Sequence, residues 1–424
     1  MNDGDASLLL PSGTRLLHIG PHKTGTTALQ SAFHTHRREL EAQGVHYTGP
    51  NRQPMGAAHV ITGTASPYAD GKTPPESRWR DLVREVEGST AQRVVISSEG
   101  FADAQPAGIE RVVRDLDRSR LRVVVTLRPL AALLPSQWQQ YVQGGMTLAY
   151  EEWLEAMFDK PAGNVSPSFW HRHRHDQLVN RWAAAVGPDR VTVIVGDEAD
   201  HERQLRVFEQ LLGLQDGTLV PEPSLGNRSL TVPEVESLRA FNAAFRAEGL
   251  GTQLHNKVVR FGAAELLKQR TPAEGEPRIE TPAAALEKAA AIAREIVEGL
   301  AGPGVQVLGD LQALNGSSVA APGAKPKATA KAKAYDVDAV WSDVGATMAL
   351  GIVLASGLAR GDESAAWKRV PWPEGPLTPG RRPPRARVEP LELARVSTPL
   401  LGLILVRRLI GAAASRIRPA RRAS

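Results

Sequence analysis

Four short apolar runs constrain this chain most: "RLLHI" at 15–19, "RVVIS" at 93–97, "LRVVVTL" at 121–127 and "RVTVIV" at 190–195, each set apart by longer stretches with helical spacing. None of the runs alternates apolar with polar, so each reads as a strand covered on both faces. Strands of that kind belong to parallel sheets, whose crossover connections place helices over both sides. The runs therefore predict an α/β fold in three layers around a central parallel sheet. "ERQLRVFEQLLGL" at 202–214 carries apolar residues at helical spacing and stops on Gly213. "TVPEVESLRAFNAAFRAE" at 231–248 reads as a helix capped by Thr231, with Pro233 and Glu234 in its first turn.

The first run leads directly into "GPHKTGTTALQ" at 20–30. A strand, a glycine turn and a helix present unpaired backbone N–H groups and a positive dipole end, which together hold a phosphate. The spacing from Gly20 to Gly25 is that of a phosphate-binding loop. Nucleotide hydrolases, however, place a lysine after the second glycine to reach the β and γ phosphates. Thr26 stands there instead, and Lys23 sits earlier, within the turn. Lys23 would then lie beside the group attached to one phosphate, not over a triphosphate chain.

"PHKTGTTALQ" resembles the 5′-phosphosulfate loop of the PAPS-dependent sulfotransferases, commonly PKSGTT or PKTGTT, and in particular a bacterial, carbohydrate-modifying branch. The resemblance implies PAPS as sulfuryl donor, a fold related to nucleotide kinases and no required metal. His22, Lys23, Thr24, Gly25, Thr26 and Thr27 would hold the 5′-phosphate, with Lys23 stabilising charge on the bridging oxygen. A second stretch adds to it. "LRVVVTLRPLAALLPSQWQQYVQGG" places Arg128 at a strand end and Ser136 eight residues later, at the expected head of a helix. The family's 3′-phosphate motif has that spacing, and a guanidinium fork suits phosphate. The resemblance covers roughly residues 14 to 245.

Transfer to a hydroxyl or amine needs a base. Glu99, in "QRVVISSEGFADA", falls just past a predicted strand, where a parallel sheet exposes its ligand-facing ends. The segment is similar to that of carbohydrate-modifying branches, which often use glutamate there. Ser98 is its neighbour, and His59 in "MGAAHVITG" is the alternative base or a substrate-binding group. Arg228, with Asn227 and Ser229 in "GNRSLTVPE", either closes over the nucleotide or simply leads into the following helix. The histidines of "FWHRHRHDQL", His171, His173 and His175, share one face only in a strand, and their arginine neighbours oppose a cation. A solvated or acid-facing surface is the expectation there, with no metal site.

The chain of 424 residues has 42% hydrophobic content, no cysteine and a net charge of +5. Thiol nucleophiles, thiolate metal sites and disulfides are excluded. "MNDGDASLLLPSG" shows no secretory signal, so a cytoplasmic location is expected. Residues 1–13 read as a tail, 14–315 as the catalytic domain, and 316–334 as a linker poor in large apolar groups. Residues 335–424 read as a basic, partly helical extension. Within it "VGATMALGIVLASGLA" has 16 uncharged residues, short of the ~20 that span a bilayer, and is expected to pack on protein. The arginine-rich end permits peripheral contact with the inner membrane surface; no specific nucleic acid is expected. A glutamate-type base and such a tail point to a carbohydrate or glycolipid acceptor. Two other readings stay open: a divergent nucleotide or sugar kinase, and a membrane-surface or nucleic-acid-binding protein acting through its tail.

Overall fold

The structure is a computed structural model that describes residues 8–65, 72–159, 165–196, 200, 202–221, 228–302, 304–316 and 342–356. It divides into two compact units, one made of residues 1–138, 148–225 and 280–331, the other of 139–147, 226–279 and 332–424. The expected linker from residue 317, the extension beyond 356 and Asn227 lie outside the described residues.

In chain order the elements are β1 (Thr14–His18), α1 (Thr26–Thr35), α2 (Arg37–Ala42), β2 (Val45–Tyr47), α3 (Met55–Thr62), α4 (Ser77–Gly88), β3 (Arg93–Ser97), α5 (Pro106–Asp115) and β4 (Leu121–Leu127). There follow α6 (Leu130–Gln143), α7 (Tyr150–Asp159), α8 (Pro167–His173), α9 (His175–Val186), β5 (Val191–Val195), α10 (Arg203–Leu212) and α11 (Val232–Ala247). The last are α12 (Thr252–His255), a π-helical stretch Asn256–Ala263, α13 (Ala264–Gln269), α14 (Ala283–Ala301), β6 (Gln306–Leu308) and α15 (Ser342–Ser356).

The first unit is built on a six-stranded sheet in the order β2-β3-β1-β4-β5-β6. Every pairing is parallel. The apolar runs are continuous because successive side chains enter different layers. Leu17, Val94, Ile96, Val123 and Val125 pack with Trp79 of α4, Ile109 of α5, Trp182 of α9 and Ile296 of α14. Their neighbours Leu16, Val95 and Val124 face the other way, onto Leu29 and Phe33 of α1 and Leu205, Phe208 and Leu211 of α10. This is the three-layer α/β fold expected from the sequence. α10 ends at Gly213 in the left-handed conformation (φ 66°), and α11 begins after Thr231 as its spacing requires.

Sheet order fixes where ligands go. β1 lies between β3 and β4, so the chain winds outward from β1 in opposite directions. Parallel sheets bind ligands at such a switch point, beyond the carboxyl ends of the strands.

The described part of the second unit is helical. Leu238, Phe241 and Phe245 of α11, Val258 and Val259 of the π-helical stretch, and Val344, Met348 and Ile352 of α15 are all buried. α15 crosses the π-helical stretch at backbone contact: a Cβ on Gly262 would lie 2.6 Å from Ala355 Cβ, and one on Gly351 2.7 Å from Ala263 Cα. The uncharged stretch near residue 350 is thus a helix lying on protein. Among the described residues no helix is long and apolar enough to cross a membrane.

Phe208 is fully buried, with its ring 5.2 Å from His18 and 5.7 Å from Phe33, both edge-on. Phe208→Ala is expected to cost about 3–5 kcal/mol of stability, measurable as a lower denaturation midpoint in urea.

Candidate active site

The loop after β1 is shaped by residues in left-handed conformation. Gly20 (φ 77°), Lys23 (φ 68°) and Gly25 (φ 86°) all adopt positive φ. For Lys23 this is a strained conformation, of the kind that clusters at ligand-binding turns. Gly25 is the N-cap of α1, so the first-turn N–H groups beyond it, at Thr26 and Thr27, have no partner within the helix. Gly20 has a second reason to be glycine. A Cβ there would lie 2.8 Å from Cβ of Glu99, so the loop passes against the residue proposed from sequence as base.

Strand order explains that proximity. Ser98 N–H donates to His18 C=O at 3.0 Å, and Thr126 N–H to Gly20 C=O at 2.8 Å. The loop after β1 is therefore flanked by Glu99, just past β3, and by Arg128, just past β4. Residues 22–27, 99 and 128, distant in sequence, converge on the ends of three adjacent strands.

Glu99 opens a short 3₁₀ turn, Glu99–Asp103, with its side chain 15% exposed. Oε2 accepts from Gln30 Nε2 at 2.8 Å. Oε1 accepts from Gln53 Nε2 at 3.3 Å and lies 4.0 Å from His22 Nδ1. Ser98 Oγ donates to Gln53 Oε1 at 2.8 Å, so Ser98 steadies a partner of Glu99. Burial pushes the Glu99 carboxyl up, but the charge of His22, the Gln30 bond, its own backbone N–H and Gln53 outweigh that and hold it below the usual carboxylate range. Glu99 is accordingly an anion at neutral pH.

A buried chain of hydrogen bonds runs beneath the loop. Gln30 Nε2 also donates to Ser97 Oγ at 3.3 Å; Ser97 Oγ is 2.8 Å from His18 Nδ1; His18 Nε2 is 3.2 Å from Thr126 Oγ1. Thr126 Oγ1 is 2.8 Å from Thr24 Oγ1, which donates to Pro21 C=O at 2.7 Å. Every donor finds an acceptor, in one direction from Gln30 to Pro21, when the neutral His18 ring carries its proton on Nε2. Burial lowers His18 to about 4, with the Glu99 charge opposing, so the ring is neutral.

The other expected residues are placed as follows. His59, on α3, is half-buried with Nδ1 lacking a hydrogen-bond partner. Burial lowers its pKa while the charge of Glu99 raises it. Its neighbour Ala58 meets the Glu99 turn, since a Cβ on Gly100 would come 3.0 Å from Ala58 Cβ. Thr24 is committed to bracing the loop and offers no free hydroxyl proton. Ser136 stands in the second turn of α6, which starts at Leu130 and carries Pro135 inside it, not at a helix head. Its Oγ donates to Leu133 C=O at 3.0 Å, so it must turn to reach a phosphate.

Arg228, in the second unit, has its whole fork engaged. Nε donates to Arg270 C=O, Nη1 to Ser229 C=O and Glu234, and Nη2 to Glu234 and Leu267 C=O. All five N–H donors are used, so this arginine anchors the start of α11, leaving none for a nucleotide. The surface expected around 171–175 is corrected too. His171 is partly exposed, but His173 and His175 are buried, because 167–173 and 175–186 are two helices and not a strand. Their rings meet edge-on at 5.9 Å. Among the described residues no group of three or more His, Cys, Asp or Glu is arranged to hold a metal ion.

Sequence reasoning missed Gln30, Gln53, His18 and Thr126. The one available signal was the polar residue inside each of the runs "RLLHI" and "LRVVVTL".

No protein-family model matches the chain, and no curated protein matches it. Among solved structures it is similar to the crystal structure of a sulfotransferase from Alicyclobacillus acidocaldarius, at 16% identity, over 71% of this chain and 98% of that one, with a TM-score of 0.40.

Burial lowers His175 as well as His18 to about 4 from an unfolded 6.5, the former opposed by the charge of Asp176. Both folded values are depressed, so the stability they contribute is complete above pH 6.5 and lost as the pH falls from 6.5 to 4. The loss should be about 3 kcal/mol per ring. Urea denaturation followed from pH 7.5 to 4 is expected to show this slope, and His18→Asn, if it folds, to flatten it.

Proposed function

We propose that this protein is a PAPS-dependent sulfotransferase. The observation that carries the reading is the Glu99 side chain packed against a phosphate-binding loop that has Lys23 in its turn and no lysine after Gly25, with Arg128 just past the strand on the opposite flank. The backbone N–H groups at Thr26 and Thr27 bind the 5′-phosphate, and Arg128 with a turned Ser136 the 3′-phosphate. Glu99 takes the proton of an acceptor hydroxyl as that oxygen attacks sulfur. The new S–O bond forms while the bond from sulfur to the bridging oxygen breaks. The electron pair leaves with adenosine 3′,5′-bisphosphate, and Lys23 and the loop N–H groups stabilise its developing charge. Positioning and charge stabilisation account for such a transfer. His59 lines the acceptor side beside Glu99, and the acceptor class most in keeping with a glutamate base is a carbohydrate or glycolipid.

Calorimetric titration with adenosine 3′,5′-bisphosphate tests the donor. Binding without magnesium is expected, weakened about 10- to 100-fold in Arg128→Ala by loss of a charge-assisted contact. Tighter, magnesium-dependent ATP binding that ignores Arg128 would replace this reading with a kinase. Glu99→Gln should bind the bisphosphate as the parent does, yet lose about 10²- to 10⁴-fold in PAPS turnover.

A further inference from the structure

We infer that Gln30 is the positioning residue for Glu99, fixing which carboxylate oxygen takes the proton; this rests on the sulfotransferase reading of the site.

Gln30 belongs to α1, the helix that begins at the phosphate loop, and its side chain is 1% exposed. Its amide has two N–H donors, and both are spent: one on Glu99 Oε2 at 2.8 Å, the other on Ser97 Oγ at 3.3 Å. The second bond heads the buried chain through His18, Thr126 and Thr24 that ends at Pro21 in the loop. The amide therefore cannot turn without breaking that chain, and its first donor is held on Oε2. The two oxygens of Glu99 thereby become unlike. Oε2 is occupied by a short charge-assisted bond from a buried group. Oε1 carries the longer Gln53 contact, at 3.3 Å, and faces His22. Oε1 is the oxygen left for the acceptor.

The arrangement also sets the base by the same helix that binds the donor. α1 presents its N-terminal N–H groups to the 5′-phosphate at one end and, one turn further along, the amide that aims Glu99. Donor and base are registered by a single rigid element, the condition under which proximity accelerates a transfer most. Gln30 also stabilises the anion, since its bond is made to the charged form.

Gln30→Met keeps the volume and removes both donors. The test uses the full chain, with PAPS as the only substrate and water as acceptor, followed as release of adenosine 3′,5′-bisphosphate across pH 4 to 8. Alongside it the Glu99 carboxyl is titrated by difference infrared spectroscopy against Glu99→Gln. Gln30→Met is expected to titrate at higher pH than the parent, to move the acid limb of turnover the same way, and to lose about tenfold in rate at pH 7. Bisphosphate affinity should stay within about twofold, since no donor-binding group is touched. Gln53→Met, which removes the longer bond, should move the carboxyl less. An unchanged carboxyl titration in Gln30→Met, or an equal effect from Gln53→Met, overturns the inference even if the enzyme is active. If Gln30→Met does not fold, Gln30→Asn, which keeps the amide but shortens its reach, must show the same upward titration or the inference falls. Failure of the parent protein to bind adenosine 3′,5′-bisphosphate overturns the sulfotransferase reading itself, which the infrared titration does not depend on.

Discussion

The site depends on one buried imidazole. His18 ends β1 at the centre of the sheet, where both faces are covered, and a polar ring there must find partners or destabilise the fold. It finds Ser97 on one neighbouring strand and Thr126 on the other. Because those strands carry Glu99 and Arg128 just beyond them, satisfying His18 also sets the relative height of the two groups that flank the loop. Packing and chemistry are thus linked by hydrogen bonds too few to lose one cheaply.

The same constraint orders the loop. Its positive-φ residues leave the backbone without the support of a regular ladder. Thr24 supplies that support from below through Pro21 and Thr126. A hydroxyl that by sequence reads as a phosphate ligand is instead a strut. The N–H groups above it remain directed outward because this strut holds the turn.

How much of this was legible follows from the kind of residue involved. The four central strands were visible because burial on both faces leaves an unbroken apolar run. β2 and β6, three residues each on the sheet edges, are too short to show one. Glu99 and Arg128 could be located because a charged residue within two positions of the end of such a run has few places to be. Gln30 and Gln53 could not, since a neutral amide in a helix or loop carries no pattern that distinguishes a buried partner from a surface residue. The sequence puts Ser136 at a helix head, yet α6 begins six residues earlier and tolerates Pro135 inside it. Pro135 forfeits a hydrogen bond to the Ala131 carbonyl, a cost that the buried Leu133, Leu134 and Trp138 of α6 offset. Alternation says nothing about the exposure of the histidines at 173 and 175, because the chain breaks there between two helices.

The crossing of α15 with the π-helical stretch bears on how the chain is divided. Composition draws a natural cut at the low-complexity stretch after residue 316, as though everything beyond were an appendage. Yet Val344, Met348 and Ile352 belong to the interior of the second unit, and Gly351 seats against Ala263 at a separation no larger residue permits. A shortened protein ending at that stretch would leave a furrow along residues 258–263 shaped for a missing helix. The bare furrow would recruit the same helix from another molecule or aggregate. The second unit thus draws its interior from both sides of that stretch, from residues 226–279 before it and from α15 after it.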